Sequence, residues 1–188
     1  MFVSKLYTDK WTGNRNEENF IENPTWEQIE SAISELDGTT KTLVSLEADD
    51  GSYMMIGGGN SGKYVVTATL DNENFYILLR GSDLPKLNLL KPKINKSKQK
   101  PNLQLFLKAL LEADKTNSPE HKVSTASHKS STSDVEKLIV GGQGVNYPKK
   151  VCVDLYYCLL AAKTFTESGQ LEPLLTWENE NDDSLVTV

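Results

Sequence analysis

The chain has 188 residues, a formal net charge of -6 and 24% charged residues, which suits one soluble domain with a real core and is short for two. No apolar run of about 18 residues exists, which excludes a membrane-spanning helix, and an acidic balance speaks against bulk nucleic-acid binding, which is usually the work of basic proteins. The opening MFVSKLYTDKWTG lacks the basic and apolar regions of a secretory signal, so the expected compartment is the cytoplasm.

The first helix is expected after Asn23-Pro24. Thr25 and Gln28 have the spacing of a capping box. Trp26, Ile29, Ile33 and Leu36 recur at three and four, one helical face, and Asp37-Gly38 is the expected stop. Four short strands follow: KTLVSLE, SYMMIG, KYVVTATL and FYILLRG. They are separated by the turns Asp49-Asp50-Gly51, Gly57–Gly62 and Asp71–Asn74. Strands joined by such short turns make an antiparallel meander.

Residues 82–134 break the pattern with four prolines, a Ser/Thr-rich tract and a lysine cluster, Lys86, Lys91, Lys93, Lys96, Lys98 and Lys100. A short helix is expected at 102–115 and a flexible tract after it, so the region reads as an insertion or long excursion. Order resumes with VEKLIV as a strand, GGQGVNYP as a glycine-rich turn and KKVCV as a second strand. A helix at 154–168 has Leu155, Cys158, Leu159, Ala162 and Phe165 on one face and ends at Gly169. The tail carries Trp177 and then turns acidic. The expected class is α+β: an antiparallel sheet, from an N-terminal meander and a C-terminal hairpin, packed on two main helices within a single domain spanning 1–188.

No catalytic constellation stands out. Cys152 and Cys158 sit in apolar VCVDLYYCLL and read as buried reduced thiols; His121 and His128 lie in a polar tract. Gly57–Gly62 is followed by Lys63-Tyr64 and a strand, whereas a phosphate loop needs Lys-Ser/Thr and a helix. Asp49-Asp50 shows no third ligand for a metal. No cofactor or metal is expected.

In order, NPTWEQIESAISELDG, LVSLEADDGSYMMIGGGNSGKYVV and LIVGGQGVNYPKKVCVDLYYCLLAAKTFTESGQLEPLLTWE resemble the Imm1 family of bacterial immunity proteins, over residues 23–80 and 136–178. The combination of GGQG-x-x-YP, the helix, F-x-x-x-G and a late Trp-Glu carries the likeness. The resemblance implies a cytoplasmic, non-enzymatic inhibitor encoded beside a polymorphic toxin, whose C-terminal domain in this family is frequently predicted to be a nucleic-acid deaminase. It implies a protein partner in bacterial competition, with no membrane and no direct nucleic-acid contact. The excursion is longer than the family leads one to expect.

An acidic inhibitor would be drawn to the positive surface such a toxin needs. The expected contact is therefore the acidic turn Asp49 and Asp50, with the turns Gly57, Gly58, Gly59 and Gly141, Gly142, Gln143, Gly144 and with Glu178 as neighbours, since turns on a rigid sheet concentrate binding residues. Two other readings stand beside this one. A small-ligand binder or enzyme would use a concave pocket between the two glycine turns. A nucleic-acid adaptor would use the lysine cluster.

Overall fold

The computed structural model describes residues 1–81 and 134–181. The expected helix at 102–115, the lysine cluster, both histidines and nearly all of the 82–134 excursion lie outside the described residues, as do Asp182 and Asp183. In chain order the elements are β1 (Val3–Thr8), β2 (Trp11–Thr12), β3 (Arg15–Asn16), β4 (Asn19–Glu22), helix α1 (Trp26–Ser34), β5 (Leu43–Ala48), β6 (Tyr53–Gly58), β7 (Tyr64–Thr69), β8 (Phe75–Leu78), β9 (Val135–Val140), β10 (Gln143–Pro148), helix α2 (Leu155–Ser168) and β11 (Trp177–Asn179).

Seven strands form one antiparallel sheet in the order β11-β8-β7-β6-β5-β1-β4. The expected meander β5 to β8 is its centre. The sheet is wider than the sequence reading foresaw, because β1 and β4 extend it on one side and β11 on the other. β1 escapes a search for alternation for a physical reason: its register shifts between Val3 and Lys5. A bulge adds a residue and breaks the period of two, so the buried residues Val3 and Leu6 fall three apart.

Residues paired across antiparallel strands share a face. Leu6, Leu46 and Met54 form one such inner row, and Val44, Ile56 and Val66 another; all six are essentially buried. Helix α2 packs against β1, β6 and β7, and also against α1. Ile29 and Ile33 of α1, with Leu159 and Phe165 of α2, are fully buried. Burying such a side chain is worth about 1.5–3 kcal/mol.

Helix α1 begins as expected. The Thr25 amide donates to the Gln28 side chain (2.7 Å), and the Gln28 amide donates to the Thr25 hydroxyl (3.4 Å). It stops three residues before Asp37, at Ser34. The Asp37 carboxylate accepts the amides of Thr39, Thr40 and Lys41 at 2.7, 2.8 and 3.0 Å, a local alternative to helical bonding. Helix α2 is sequestered well beyond one face, with every residue from Cys158 to Ala162 buried. Its end is pinned to the start of the chain. The Phe2 amide donates to the Thr166 carbonyl at 2.7 Å, and the Phe2 ring meets Phe165 edge-on at 5.8 Å.

The C-terminal hairpin corrects one expectation. Its second strand is the expected turn segment, β10, with Gly141-Gly142 as the bend; KKVCV is not a strand. Lys149–Val151 form a 3-10 turn, and Val153 makes a single bridge to Tyr64. Strand β10 ends at Pro148, which has no amide to donate. The hairpin forms its own two-stranded ribbon. It covers part of the outer face of the main sheet, where Leu138 packs with Val65, Ile77, Val151 and Cys152.

Candidate functional site

The sequence-predicted residues fall at three places. Strand β6 runs from the acidic turn to the glycine turn, and at about 3.3 Å per residue its six residues hold those turns about 20 Å apart.

At the glycine end the two glycine-rich turns do come together. Asn60 clasps strand β9: its side-chain amide donates to the Lys137 carbonyl (2.7 Å), and its oxygen accepts the Ile139 amide (3.1 Å). A Cβ on Gly57 would stand 2.5 Å from a methyl of Val140. Gly59 has φ 100°, and a Cβ there would overlap the Leu36 carbonyl where the chain leaves α1. Only glycine satisfies both demands. Gly142 donates its amide to the Thr42 hydroxyl (2.9 Å), and the Trp11 ring occupies the place its side chain would take. Close packing thus accounts for the glycines: side chains of Val140 and Trp11 stand where a Cβ on Gly57 or Gly142 would go. Gln143 and Gly144 remain exposed at the hairpin.

This end also holds a buried carboxylate that sequence reasoning missed. Asp9 is 6% exposed. It accepts the amides of Thr42 (2.7 Å) and Leu43 (2.9 Å), the Thr42 hydroxyl, and the Trp11 indole N–H (2.8 Å). Asp9, Trp11 and Thr42 therefore tie the start of the chain to β5 and to the hairpin bend. In the sequence Asp9 is one of eleven acids in the first fifty residues, and nothing local marks it. Lys63, which suggested a phosphate loop, instead pairs with Asp154 at 2.6 Å, both about three-quarters buried. Beside them burial first, then Cys158 and Asp154, push the Tyr64 hydroxyl up to about 12. Burial likewise pushes the Cys158 thiol well above its ordinary value and raises Cys152, and both thiols are free.

At the acidic end, Asp49 accepts the Ser4 hydroxyl (2.6 Å), and Asp50 accepts the Ser52 hydroxyl (2.6 Å) and amide (3.0 Å). Those Ser52 bonds hold the Asp50 carboxyl below the ordinary range. The β7–β8 turn lies alongside: a Cβ on Gly51 would stand 2.7 Å from the Asn72 side-chain nitrogen. That turn adds Asp71 and Glu73, with Asp71 lowered by hydrogen bonds from the backbone and side chain of Asn74. All four acids are exposed, and neither turn contains a lysine or arginine.

Glu178 lies at neither end. It sits on edge strand β11 opposite Ile77, and both its oxygens accept from the Lys150 ammonium, at 2.7 and 2.9 Å. Elsewhere a cleft of about 240 Å³ between α1 and the sheet is lined by Leu6, Ile21, Gln28, Ser31 and Val44 among others; it does not lie between the glycine turns. Among the described residues, no three His, Cys, Asp or Glu side chains cluster to hold a metal, and no helix is long and apolar enough to cross a membrane.

What the described residues offer a partner is surface: an acidic end, an exposed hairpin and a sheet face they leave partly open. Residues 106–179 match the family model of immunity protein Imm1, and the match supports the resemblance seen in the sequence. Its described part comprises β9, β10, α2 and β11, while the other resembling block, residues 23–80, lies outside the matched stretch. Among the curated proteins and the solved structures, nothing matches the chain. The matched family is one of immunity proteins, which supports a toxin-neutralising role.

Proposed function

We propose that this protein binds the C-terminal domain of a cognate bacterial toxin and neutralises it by occlusion, without chemistry of its own. The match to the Imm1 family over residues 106–179 carries the reading. The toxin is proposed to be a nucleic-acid deaminase of a polymorphic system, met in the cytoplasm of the protected cell. The acidic end fits that partner. An enzyme acting on DNA or RNA presents positive charge around its active site, and opposite charge speeds encounter. Asp49 and Asp50 are the proposed first contacts. The residues 1–188 are proposed to act as one immunity domain.

The test is co-expression with the toxin domain encoded by the neighbouring gene. Growth should be rescued, and the purified pair should associate in the nanomolar range, about -12 kcal/mol. Deamination of single- and double-stranded DNA and RNA by that toxin domain should cease at one equivalent of inhibitor. Protected cells combined with purified domains that fail to associate would overturn binding in favour of an enzymatic antidote.

A further inference from the structure

Among the described residues, the outer face of the sheet is only half covered. The hairpin packs over Gly57 and over the Val65–Ile77 cluster. The half toward β4 and the acidic turns carries a continuous row set by the register: Phe20 opposite Tyr7, Tyr7 opposite Ser45, Ser45 opposite Met55. Tyr7 and Phe20 stack at 4.9 Å. Phe20 is 47% and Met55 36% exposed, and the two share one row of the sheet. In the next row Glu22, Lys5, Glu47 and Tyr53 lie in register, so one lysine stands between two carboxylates. Beyond that row the chain turns into Asp49 and Asp50. Aromatic residues and methionine at the centre with charge at the rim is the composition of protein interfaces.

We infer that this open half-face, centred on Tyr7, Phe20, Tyr53 and Met55 and rimmed by Glu47, Asp49 and Asp50, is the surface that docks on the toxin domain's basic nucleic-acid-binding face. The inference rests on the toxin-binding function proposed above and adds the location. Charge complementarity selects the partner. A rim in which Glu22, Glu47, Asp49 and Asp50 outnumber Lys5 repels a second acidic copy of this chain and attracts lysines and arginines, while the apolar centre supplies the desolvated anchor that charge alone does not. Thr67, next to Met55 in the row, leaves the centre flat enough for another protein to approach.

The experiment uses the full chain and the catalytically inactivated toxin domain of the neighbouring gene. Met55→Lys and Phe20→Ser should each weaken binding about 30-fold or more, the scale of an interface hot spot, with unchanged circular dichroism. Glu27→Lys, on helix α1 behind the sheet, should bind as the wild type does. Hydroxyl-radical footprinting of the wild-type chain needs no variant: Tyr53 and Met55 should be labelled in the free protein and protected in the complex. A wild type that binds tightly while both variants match it, or whose Met55 stays labelled in the complex, overturns the location and leaves the function standing. Protection of Met55 already in the free chain, or self-association in the ultracentrifuge that removes its labelling, shows another occupant and also overturns it. A wild type that does not bind the toxin domain overturns the function and the location together.

Discussion

The strands of the central meander end in two unlike environments. At one end the chain is knit: Gly59 is wedged against the Leu36 carbonyl, Asn60 clasps β9, and Asp9 collects four donors from Thr42, Leu43 and Trp11. Charges there are paired, as in Lys63 with Asp154 and Lys41 with Glu35. At the other end Asp49, Asp50, Asp71 and Glu73 stand exposed in tight turns, where two of them are held by hydroxyls and amides of their own turns. Both ends are glycine- or acid-rich loops in sequence, yet one is a structural joint and the other, among the described residues, an exposed acidic surface. Composition names the turn; what crosses it decides its role.

The sharpest way to break this contrast is Gly59→Val. A β-branched residue is forced to positive φ and into a backbone carbonyl, so the loss should exceed about 3 kcal/mol, read as a lower denaturation midpoint or as failure to accumulate folded protein. A variant of near wild-type stability would show that the joint is loose. Next comes Asp9→Ala. It strands buried amides of Thr42 and Leu43 and the Trp11 N–H, at about 2–4 kcal/mol. Urea titration should show the midpoint fall with an unchanged slope.

Asp37→Ala sharpens the comparison through pH. Burial opposes ionisation of Asp37, but bonds from the Lys41, Thr40 and Thr39 groups outweigh it and hold the carboxyl far below its ordinary value. A depressed folded value means stability that is present above the unfolded value near 4 and lost as pH falls through the folded one. The variant should therefore be about 1 kcal/mol less stable at neutral pH, discounted for its exposure, and the gap should close below about pH 4. A gap that is constant with pH would assign the loss to the alanine's backbone effect.

The smallest effect on folding belongs to the acidic end. Asp49→Lys with Asp50→Lys should leave the thermal midpoint nearly unchanged. At low salt it should slow association with the toxin domain roughly tenfold, and the difference should fade as salt rises. Unaltered association kinetics would remove this turn from the encounter.

Much of the fold was legible from local pattern. The capped start of α1, the meander β5 to β8, strand β9 and the glycine stop of α2 each follow from spacing and turn residues that act within a few positions. Strand β1 was hidden because a bulge disturbs its alternation, and β4 and β11 are too short to show a period. Strand β10 was hidden because QGVNYP is almost wholly exposed and reads as loop; its pairing with β9 alone makes it a strand. The glycines at 57–59 and 141–142 were visible as turns, but not what packs against them.

By itself, then, the sequence determined the class of fold, the central elements, the acidic surface and the likeness to immunity proteins, because all of these reside in composition and short-range order. Tertiary structure alone decided that Asp9 is a buried joint, that Lys63 pairs with Asp154 and that Glu178 is engaged by Lys150. Those outcomes depend on groups brought together from up to a hundred positions apart, as with Thr42 and Gly142, and no local pattern encodes which distant partner will arrive.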